Sequence, residues 1–160
     1  MMDWRESGIL LPVSSLPGPY GVGTLGKEAR QFVDFLAAGG QHYWQILPLV
    51  PPGGGDSPYM AASSFAGNPF FLDLDALAKE GLLTPQELEE AKYPNPDRVD
   101  YAWLHETRPV LLRKAWERGK KTYTPLLADF AEEEADWLPD FALFMALRGA
   151  FDGDELKDWP

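Results

Sequence analysis

The chain has 160 residues, of which 45% are hydrophobic and 24% are charged, as in an ordinary globular protein with one sizeable core. Its formal net charge of −11 should repel phosphate backbones and anionic membranes, so we expect neither a nucleic-acid partner nor a membrane partner. Because it has no cysteine, no apolar signal core and no apolar run of membrane-spanning length, we expect a cytoplasmic protein without disulfides or thiolate sites.

The first half of the chain contains two short apolar runs that we interpret as buried β-strands. Residues 8–11 end at Pro12, and residues 43–47 end at Pro48. Neither run alternates polar and apolar side chains, and this pattern is typical of parallel strands that are covered on both faces.

A helix is predicted between these strands, over residues 27–38. Phe32, Phe35 and Leu36 fall at i, i+3 and i+4 and form one apolar stripe. Thr24 is a candidate N-cap, and two glycines follow the last turn. Strand, helix and strand with a short return turn predict a βαβ unit with parallel strands, in which ligands gather at the carboxyl ends of the strands.

The second half of the chain is predicted to be helical. Residues 70–74 are interpreted as a short extended piece, and a brief helical turn over residues 75–80 closes at Gly81. Thr84, followed by a proline and then by Glu87 at the third helical position, is the signature of a capped helix start.

Three further helices are predicted in the last part of the chain. The first starts at Tyr101 and stops at Gly119, and Pro109 inside it is expected to kink or split it near Thr107. The others cover residues 125–134 and 137–147. The last is apolar on nearly every side, which indicates that it is either buried or awaits a partner surface.

The chain therefore divides into an α/β part over residues 1–75 and a helical part over residues 76–160. Two parallel strands do not make a stable sheet alone, and the final Asp-Trp-Pro sequence is unlike the end of a domain. We expect this chain to be the N-terminal segment of a longer protein, with either an α/β barrel or a doubly wound sheet.

The loop after the second strand is the strongest candidate for a binding site. Three consecutive glycines at residues 53–55 allow a sharp turn and a close backbone approach to a ligand. Asp56, Ser57 and Tyr59 then offer an acceptor, a hydroxyl and an aromatic face, a set that suits a sugar. A plain surface loop explains the same residues, and composition leaves both interpretations open.

Other polar residues favour structural roles. Asp73 and Asp75 are interpreted as a turn or cap pair, and residues 132–134 as a solvated helix face. His42 and His105 are interpreted as structural, because their separation does not match a metal pair.

No metal or nucleotide site is predicted elsewhere. An acidic group near the end of the chain lacks the spacing of an EF-hand; its members are Asp152, Asp154 and Glu155. The glycines do not have the phosphate-binding spacing, and no Gly-x-Ser-x-Gly elbow is present.

Four aromatic residues are candidates for a platform on which a sugar ring stacks. Tyr59 is the best of them, and Tyr20 and Phe65 stay open. Trp44 lies inside a predicted strand, so we expect it to pack in the core.

Several motifs, in the same order along the chain, resemble those of one known family. They are SGILL at residues 7–11, SLPGPYGVG at 15–23, YWQILPL at 43–49, GDSPY at 55–59, SFAGNP at 64–69, RVDY at 98–101 and FALFMAL at 141–147. Together they resemble the amylomaltases, the 4-α-glucanotransferases of glycoside hydrolase family 77, over nearly the whole chain.

The resemblance implies the N-terminal part of an interrupted (β/α)8 TIM barrel with an inserted all-helical subdomain. Residues 1–75 would hold the first βαβ unit and its substrate loop, and residues 76–160 the subdomain. It also implies transfer of α-1,4-glucan segments between maltooligosaccharides by a retaining double displacement. The family's catalytic carboxylates belong to motifs further along its chain, so we expect no catalytic residue, metal or cofactor here. The implied partners are α-1,4-glucans and the remainder of the barrel.

Position by position, Tyr59 and Ser57 match family residues that line the substrate cleft, and Asp56 lies beside them. Two positions depart from the family pattern. Residues 12–14 read PVS where many members have His-Pro-Thr, and Gly54 stands where some members have an aromatic residue of a secondary glucan site. The alternative function is a non-catalytic α-glucan-binding or interaction module.

Overall fold

The computed structural model describes residues 5–95 and 97–151, a mixture of helix and strand. In chain order the elements are β1 (Gly8–Leu10), α1 (Lys27–Ala38), β2 (Tyr43–Gln45), α2 (Leu74–Lys79), α3 (Pro85–Glu90), α4 (Tyr101–Glu133) and α5 (Leu138–Ala150). Short 3-10 turns punctuate the loops at Val13–Ser15, Gly54–Asp56, Pro58–Met60 and Pro69–Phe71.

The two strands pair in parallel, with Ile9 opposite Trp44, which confirms the predicted βαβ unit. The prediction that both strands are buried is wrong for the described residues, because Ile9 is 41% exposed and Tyr43 is 59% exposed. Helix α1 reaches the pair through Phe32, whose ring meets that of Trp44 edge-on at 5.1 Å. The apolar runs identify the strands correctly, but the described residues leave much of both strands uncovered.

Helix α1 begins and ends where the sequence predicts, but its start is not capped by a side chain. Gly26 occupies the N-cap position, and Thr24, the predicted cap, lies two residues earlier and is buried. On the apolar stripe, Leu36 is buried whereas Phe35 is 68% exposed. The helix therefore contributes only part of its predicted stripe to the core.

The segment after residue 67 turns instead of running extended as predicted. The Asn68 side chain accepts a hydrogen bond from the Phe70 backbone N–H at 2.9 Å and starts a 3-10 turn. Asp73 then caps α2, because its carboxylate accepts from the Asp75 N–H at 3.0 Å. The interpretation of the two aspartates as a cap pair is confirmed, and the extended piece over residues 70–74 is wrong. Side-chain capping at Asn68 and Asp73 favours turns over a strand.

Helix α3 has the capping box that its sequence predicts. The Thr84 hydroxyl accepts from the Glu87 N–H at 3.2 Å, and the Glu87 carboxylate accepts from the Thr84 N–H at 2.9 Å. The same carboxylate receives two hydrogen bonds from the Arg118 guanidinium, at 2.6 and 2.9 Å, and lies 3.3 Å from the Lys114 ammonium. Glu87 thus joins α3 to α4.

The Glu87 cluster makes stability depend on pH in a defined direction. Arg118 first, and then the Thr84 backbone, hold the pKa of the Glu87 carboxyl well below its ordinary value of 4.5. A depressed pKa means that the folded state favours the ionised carboxyl, so the stabilisation is fully present above pH 4.5 and is lost progressively as the pH falls from there towards the lowered pKa of the folded state. We expect Glu87→Gln to lower the urea midpoint at pH 7 and to lower it less at pH 3, where part of the stabilisation has already been lost.

Glu89→Gln on the same helix is the matched control for that measurement. The Glu89 side chain is 71% exposed and pairs with Lys92 at the surface. Removing its charge should therefore change the urea midpoint little at either pH. Equal destabilisation by Glu87→Gln at pH 7 and pH 3 would contradict the assignment.

Helix α4 runs without interruption through two residues that were predicted to break it and through one that was predicted to begin a separate helix. Pro109 and Pro125 both lie inside the helix, and Gly119 does not end it. One buried face, on Leu104, Arg108, Leu111, Ala115 and Gly119, extends over four turns and stabilises the helix more than two missing backbone donors weaken it.

Gly119 lies where α4 packs tightly against its neighbour. A Cβ built at this position would lie 3.0 Å from Leu82 Cδ2 and 3.0 Å from the Tyr123 ring. The residue that marked a predicted helix end therefore marks the place where the helix lies close to the loop before α3.

The largest core cluster joins the loop between β1 and α1 to the helical half of the chain. It contains Tyr20, Leu74, Leu83, Ala91, Leu111 and Ala115. At its edge lies Arg108, which is 1% exposed and donates to the backbone oxygens of Leu72 at 3.3 Å and Tyr20 at 3.2 Å. Burial lowers the pKa of Arg108 to about 10, so the guanidinium remains charged near neutral pH.

Helix α5 has no buried residue, although its sequence is strongly apolar. Leu143 is 59% exposed, Met145 is 40% exposed and Leu147 is 38% exposed. The sequence left open whether this helix is buried or awaits a partner surface. The described structure excludes full burial. None of the described helices combines the length and apolar character needed to cross a bilayer.

Candidate substrate-binding loop

The loops that leave β1 and β2 meet at the carboxyl ends of the strands. The Asn68 N–H donates to the Leu49 carbonyl at 2.8 Å, and this bond closes the base of the long loop after β2. The Leu25 N–H donates to the Phe71 carbonyl at 3.0 Å, which ties the end of that loop to the first loop. Residues 50–67 therefore project from a fixed base.

The backbone requires two of the three glycines at the start of the projecting segment, one because of crowding and one because of its conformation. A Cβ at Gly53 would lie 1.6 Å from the Met60 carbonyl oxygen, so no other residue fits there without moving the backbone. Gly55 has a φ of 65°, in the left-handed region that favours glycine. Asp56 follows with a φ of 57°, a conformation that aspartate tolerates better than most residues.

The predicted site residues lie together on this segment. Ser57 caps a 3-10 turn, with its hydroxyl oxygen accepting from the Tyr59 N–H at 3.3 Å. Tyr59 is 73% exposed, so its ring faces solvent and not the packed interior. The turn holds the Tyr59 backbone and leaves most of the polar aromatic side chain exposed to solvent.

Asp56 has a partner that the sequence did not reveal. Its carboxylate oxygen Oδ1 lies 2.7 Å from Nε2 of His105 on α4, and both side chains are partly exposed. The His105 ring also meets Phe70 edge-on, with 5.2 Å between ring centroids. His105 is structural, as expected, but it holds the candidate loop itself, and the 49 residues between the partners left no spacing signal.

Removing His105 should loosen the loop without unfolding the protein. In His105→Ala, Asp56 loses its partner, and we expect faster amide hydrogen exchange at Asp56 and Met60, whose N–H groups bond within the loop. Stability should fall by no more than about 1 kcal/mol, because both groups are partly exposed. Unchanged exchange at both amides, measured by NMR, would show that the contact does not order the loop.

In the described structure, two hollows adjoin residues 53–59 of the loop. The larger, about 530 Å³, lies between the loop, α4 and α5 and is lined by Pro51, Pro52, Gly53, Ala62, Asn68, Pro69, Phe70, His105, Pro109, Met145, Arg148 and Gly149. The smaller, about 50 Å³, lies at the strand ends, and Asp56 is part of its wall. Tyr59 and Ser57 line neither of them, so their neighbourhood is open surface.

Of the four aromatic candidates, one is buried, one is partly buried and two are exposed. Tyr20 is 6% exposed, and its hydroxyl donates to Asp75 at 2.7 Å, so it belongs to the core. Trp44 donates from Nε1 to the Leu11 carbonyl at 2.8 Å and packs on Phe32, as expected for a core residue. Tyr59 and Phe65, both 73% exposed, are the ones available to a ligand.

Metal chemistry finds no support in the part of the chain that the structure describes. Within residues 5–95 and 97–151, no group of three or more His, Asp or Glu side chains is placed to hold a metal ion. The acidic group of Asp152, Asp154 and Glu155 lies outside the described residues.

Comparison with known proteins identifies the family. The sequence model of the 4-alpha-glucanotransferases, glycoside hydrolase family 77, matches residues 11–160. The chain belongs to this family. Among curated relatives, the 4-alpha-glucanotransferase of Thermus thermophilus is 48% identical over 98% of this chain. That of Streptococcus pneumoniae TIGR4 is 44% identical over 99%, and the chloroplastic/amyloplastic one of Solanum tuberosum is 39% identical over 99%.

A solved structure shares the fold. The amylomaltase of Streptococcus agalactiae, determined in complex with acarbose, superposes with a TM-score of 0.92 over 98% of this chain at 43% identity. The chain covers 32% of that amylomaltase, 31% of the Thermus thermophilus relative and 29% of the Solanum tuberosum relative. It therefore spans about a third of the length of these 4-alpha-glucanotransferases.

Proposed function

We propose that this chain forms one wall of the substrate cleft in a 4-α-glucanotransferase. The strongest support for this proposal is the match of the family's sequence model to residues 11–160. The full activity is transfer of an α-1,4-glucan segment from one maltooligosaccharide to the 4-hydroxyl of another. α-1,4-Glucans are the ligands, and the setting is the cytoplasm.

Three loop residues contact the glucan in this proposal. Tyr59 stacks on or hydrogen-bonds a glucose ring, a role that its 73% exposure permits. Ser57 and Asp56 bind sugar hydroxyls, for which a hydroxyl and a carboxylate are suitable partners. His105 fixes Asp56 from α4 at 2.7 Å, so the loop is ordered before the ligand arrives.

The chain supplies the first part of an interrupted (β/α)8 barrel. Residues 1–75 provide the first βαβ unit and the loop, and residues 76–160 provide an inserted helical subdomain. The parallel pairing of β1 and β2 and the exposure of Ile9 and Tyr43 fit strands that further barrel elements cover. The remainder of the barrel is thus the main protein partner.

The catalytic carboxylates lie beyond these 160 residues. A retaining transferase needs a nucleophile and an acid/base carboxyl about 5 Å apart. Asp73 is occupied as the cap of α2, and Glu87 is bound by Arg118 and Lys114. These two carboxylates therefore stabilise the fold, and the role of the chain in the reaction is to bind the substrate.

A chimera tests the proposal. Residues 1–160 would replace the matching segment of the Thermus thermophilus relative, and the product would be assayed for glucose release from maltotriose. We expect a folded, active chimera, whereas the isolated chain should release no glucose. A folded but inactive chimera would overturn the cleft assignment, and activity of the isolated chain would overturn the placement of the catalytic groups.

A second candidate is a non-catalytic α-glucan-binding or interaction module. The exposed apolar side chains of α5, Leu143, Met145 and Leu147, favour it, because they fit a docking surface. The chimera experiment distinguishes this module from the substrate-cleft function. If the chain is a binding module, the isolated chain should bind glucan but should contribute nothing to transfer by the chimera.

A further inference from the structure

A ledge of three aromatic rings lies apart from Tyr59, where the loop after β2 meets the start of α5. We call Phe65, Trp137 and Phe141 the aromatic ledge. The Phe65 and Trp137 rings are stacked, with centroids 5.8 Å apart and an interplanar angle of 19°. Phe141 follows at 5.9 Å from Trp137 and is tilted by 51°. The rings form a continuous apolar strip that joins two elements distant in sequence.

In the part of the chain that the structure describes, the ledge is open on its solvent side. Phe65 is 73% exposed although it is stacked on Trp137. The rings border a cleft of about 350 Å³, which is lined by Ala62, Ser63, Ser64, Phe65, Trp137, Asp140, Phe141 and Phe144. An apolar floor with a few polar groups at the rim is the usual composition of a small-molecule site.

The rings are held in place by polar bonds to their own segments. The Ser63 hydroxyl oxygen accepts from the N–H groups of Phe65 and Ala66, each at 3.1 Å, and so fixes the Phe65 backbone. Trp137 donates from Nε1 to the Glu134 carboxylate. Because the rings are already ordered, stacking of a ligand on them costs the protein little conformational entropy.

The chemistry of the cleft selects a neutral, hydroxylated ligand. Its lining contains two serines and one aspartate but no lysine or arginine, so it offers no countercharge to an anion. The net charge of −11 adds to that exclusion. Aromatic faces are suited to pack against the C–H faces of a pyranose, and the lining offers the Ser64 hydroxyl and the Asp140 carboxylate as hydrogen-bonding groups for its hydroxyls.

We propose that the aromatic ledge is a second α-glucan contact, which holds units of the same chain that Tyr59 binds. This inference rests on the proposed function, since the glucan is the family's ligand class. Phe65 follows Tyr59 by six residues on one loop, so at most about 20 Å of backbone separates the two contacts. A long maltooligosaccharide can therefore lie along the loop and touch both.

NMR titration of the 15N-labelled 160-residue chain with maltoheptaose tests the proposal. We expect shifts of the Trp137 indole N–H as well as of the Ser57 and Tyr59 amides. Phe65→Ala should abolish the shift at Trp137 and weaken maltoheptaose binding roughly three- to tenfold. The matched control is Phe35→Ala, which removes a ring that is 68% exposed and stacked on Phe32 at 6.2 Å, and which should change neither.

The outcomes distinguish this inference from the proposed function. Shifts at Ser57 and Tyr59 without a shift at Trp137 would overturn the ledge and leave the proposed function standing. No shift at any of the three would count against both. A Trp137 shift on dilution, without sugar, would mean that a second copy covers the ledge and would also overturn it. Phe65→Leu, which keeps an apolar side chain without a ring, should match Phe65→Ala if stacking is the interaction.

Discussion

Replacing Tyr59 with alanine is expected to weaken maltoheptaose binding by the chain, and to lower transfer by the chimera, by roughly tenfold or more. The ring is 73% exposed, so its removal takes away ligand contact area and aromatic stacking but little internal packing. The free energy of unfolding should therefore stay within about 0.5 kcal/mol of the wild-type value. Isothermal titration calorimetry and glucose release from maltotriose are the two measurements.

Two controls identify the interaction that Tyr59 makes. Tyr59→Phe keeps the ring and removes the hydroxyl, so it should retain most of the binding if stacking dominates. Tyr43→Ala removes a tyrosine that is 59% exposed on β2, outside the loop, and should bind as the wild type does. If Tyr59→Ala binds maltoheptaose as tightly as Tyr43→Ala, the loop does not hold the glucan.

Replacing Arg108 with alanine is expected to lower the free energy of unfolding by about 3–5 kcal/mol. The side chain is 1% exposed, so truncation leaves a cavity. It also removes the donors to the Leu72 and Tyr20 carbonyls, which connect the first loop and the segment before α2 to α4. Urea denaturation followed by circular dichroism measures the loss.

Two further variants separate the cavity from the lost hydrogen bonds. Arg108→Met keeps most of the volume but leaves both carbonyls without their donor, so we expect a smaller loss of about 1–3 kcal/mol. Arg113→Ala removes an arginine that is exposed on the same helix and should have little effect. Equal stability of Arg108→Ala and Arg113→Ala would mean that the buried guanidinium does not connect these segments.

Local signals predicted local structure well. The capping box at Thr84 and Glu87 formed as its spacing indicates, because both partners lie within one turn. The bounds of α1 followed from an apolar stripe and two terminal glycines, and the parallel pair followed from the strand–helix–strand order. Each of these signals is complete within a short stretch of chain.

Structural features that depend on packing between residues distant in sequence were not predicted. Pro109 and Gly119 looked like helix breaks because the sequence does not show the buried face that stabilises α4 as one helix. The Asp56–His105 contact joins a loop to a helix 49 residues away. The exposure of Ile9 was missed for the same reason, since a run of apolar residues predicts a strand but not what covers it.

A crystal structure of the chimera with maltoheptaose bound is the most direct test of the central claim, that the loop over residues 53–59 holds glucose units. We predict a glucose ring against the Tyr59 side chain, with Ser57 and Asp56 within hydrogen-bonding distance of its hydroxyls. A glucan bound in the cleft with Tyr59 packed away from every sugar ring would contradict it.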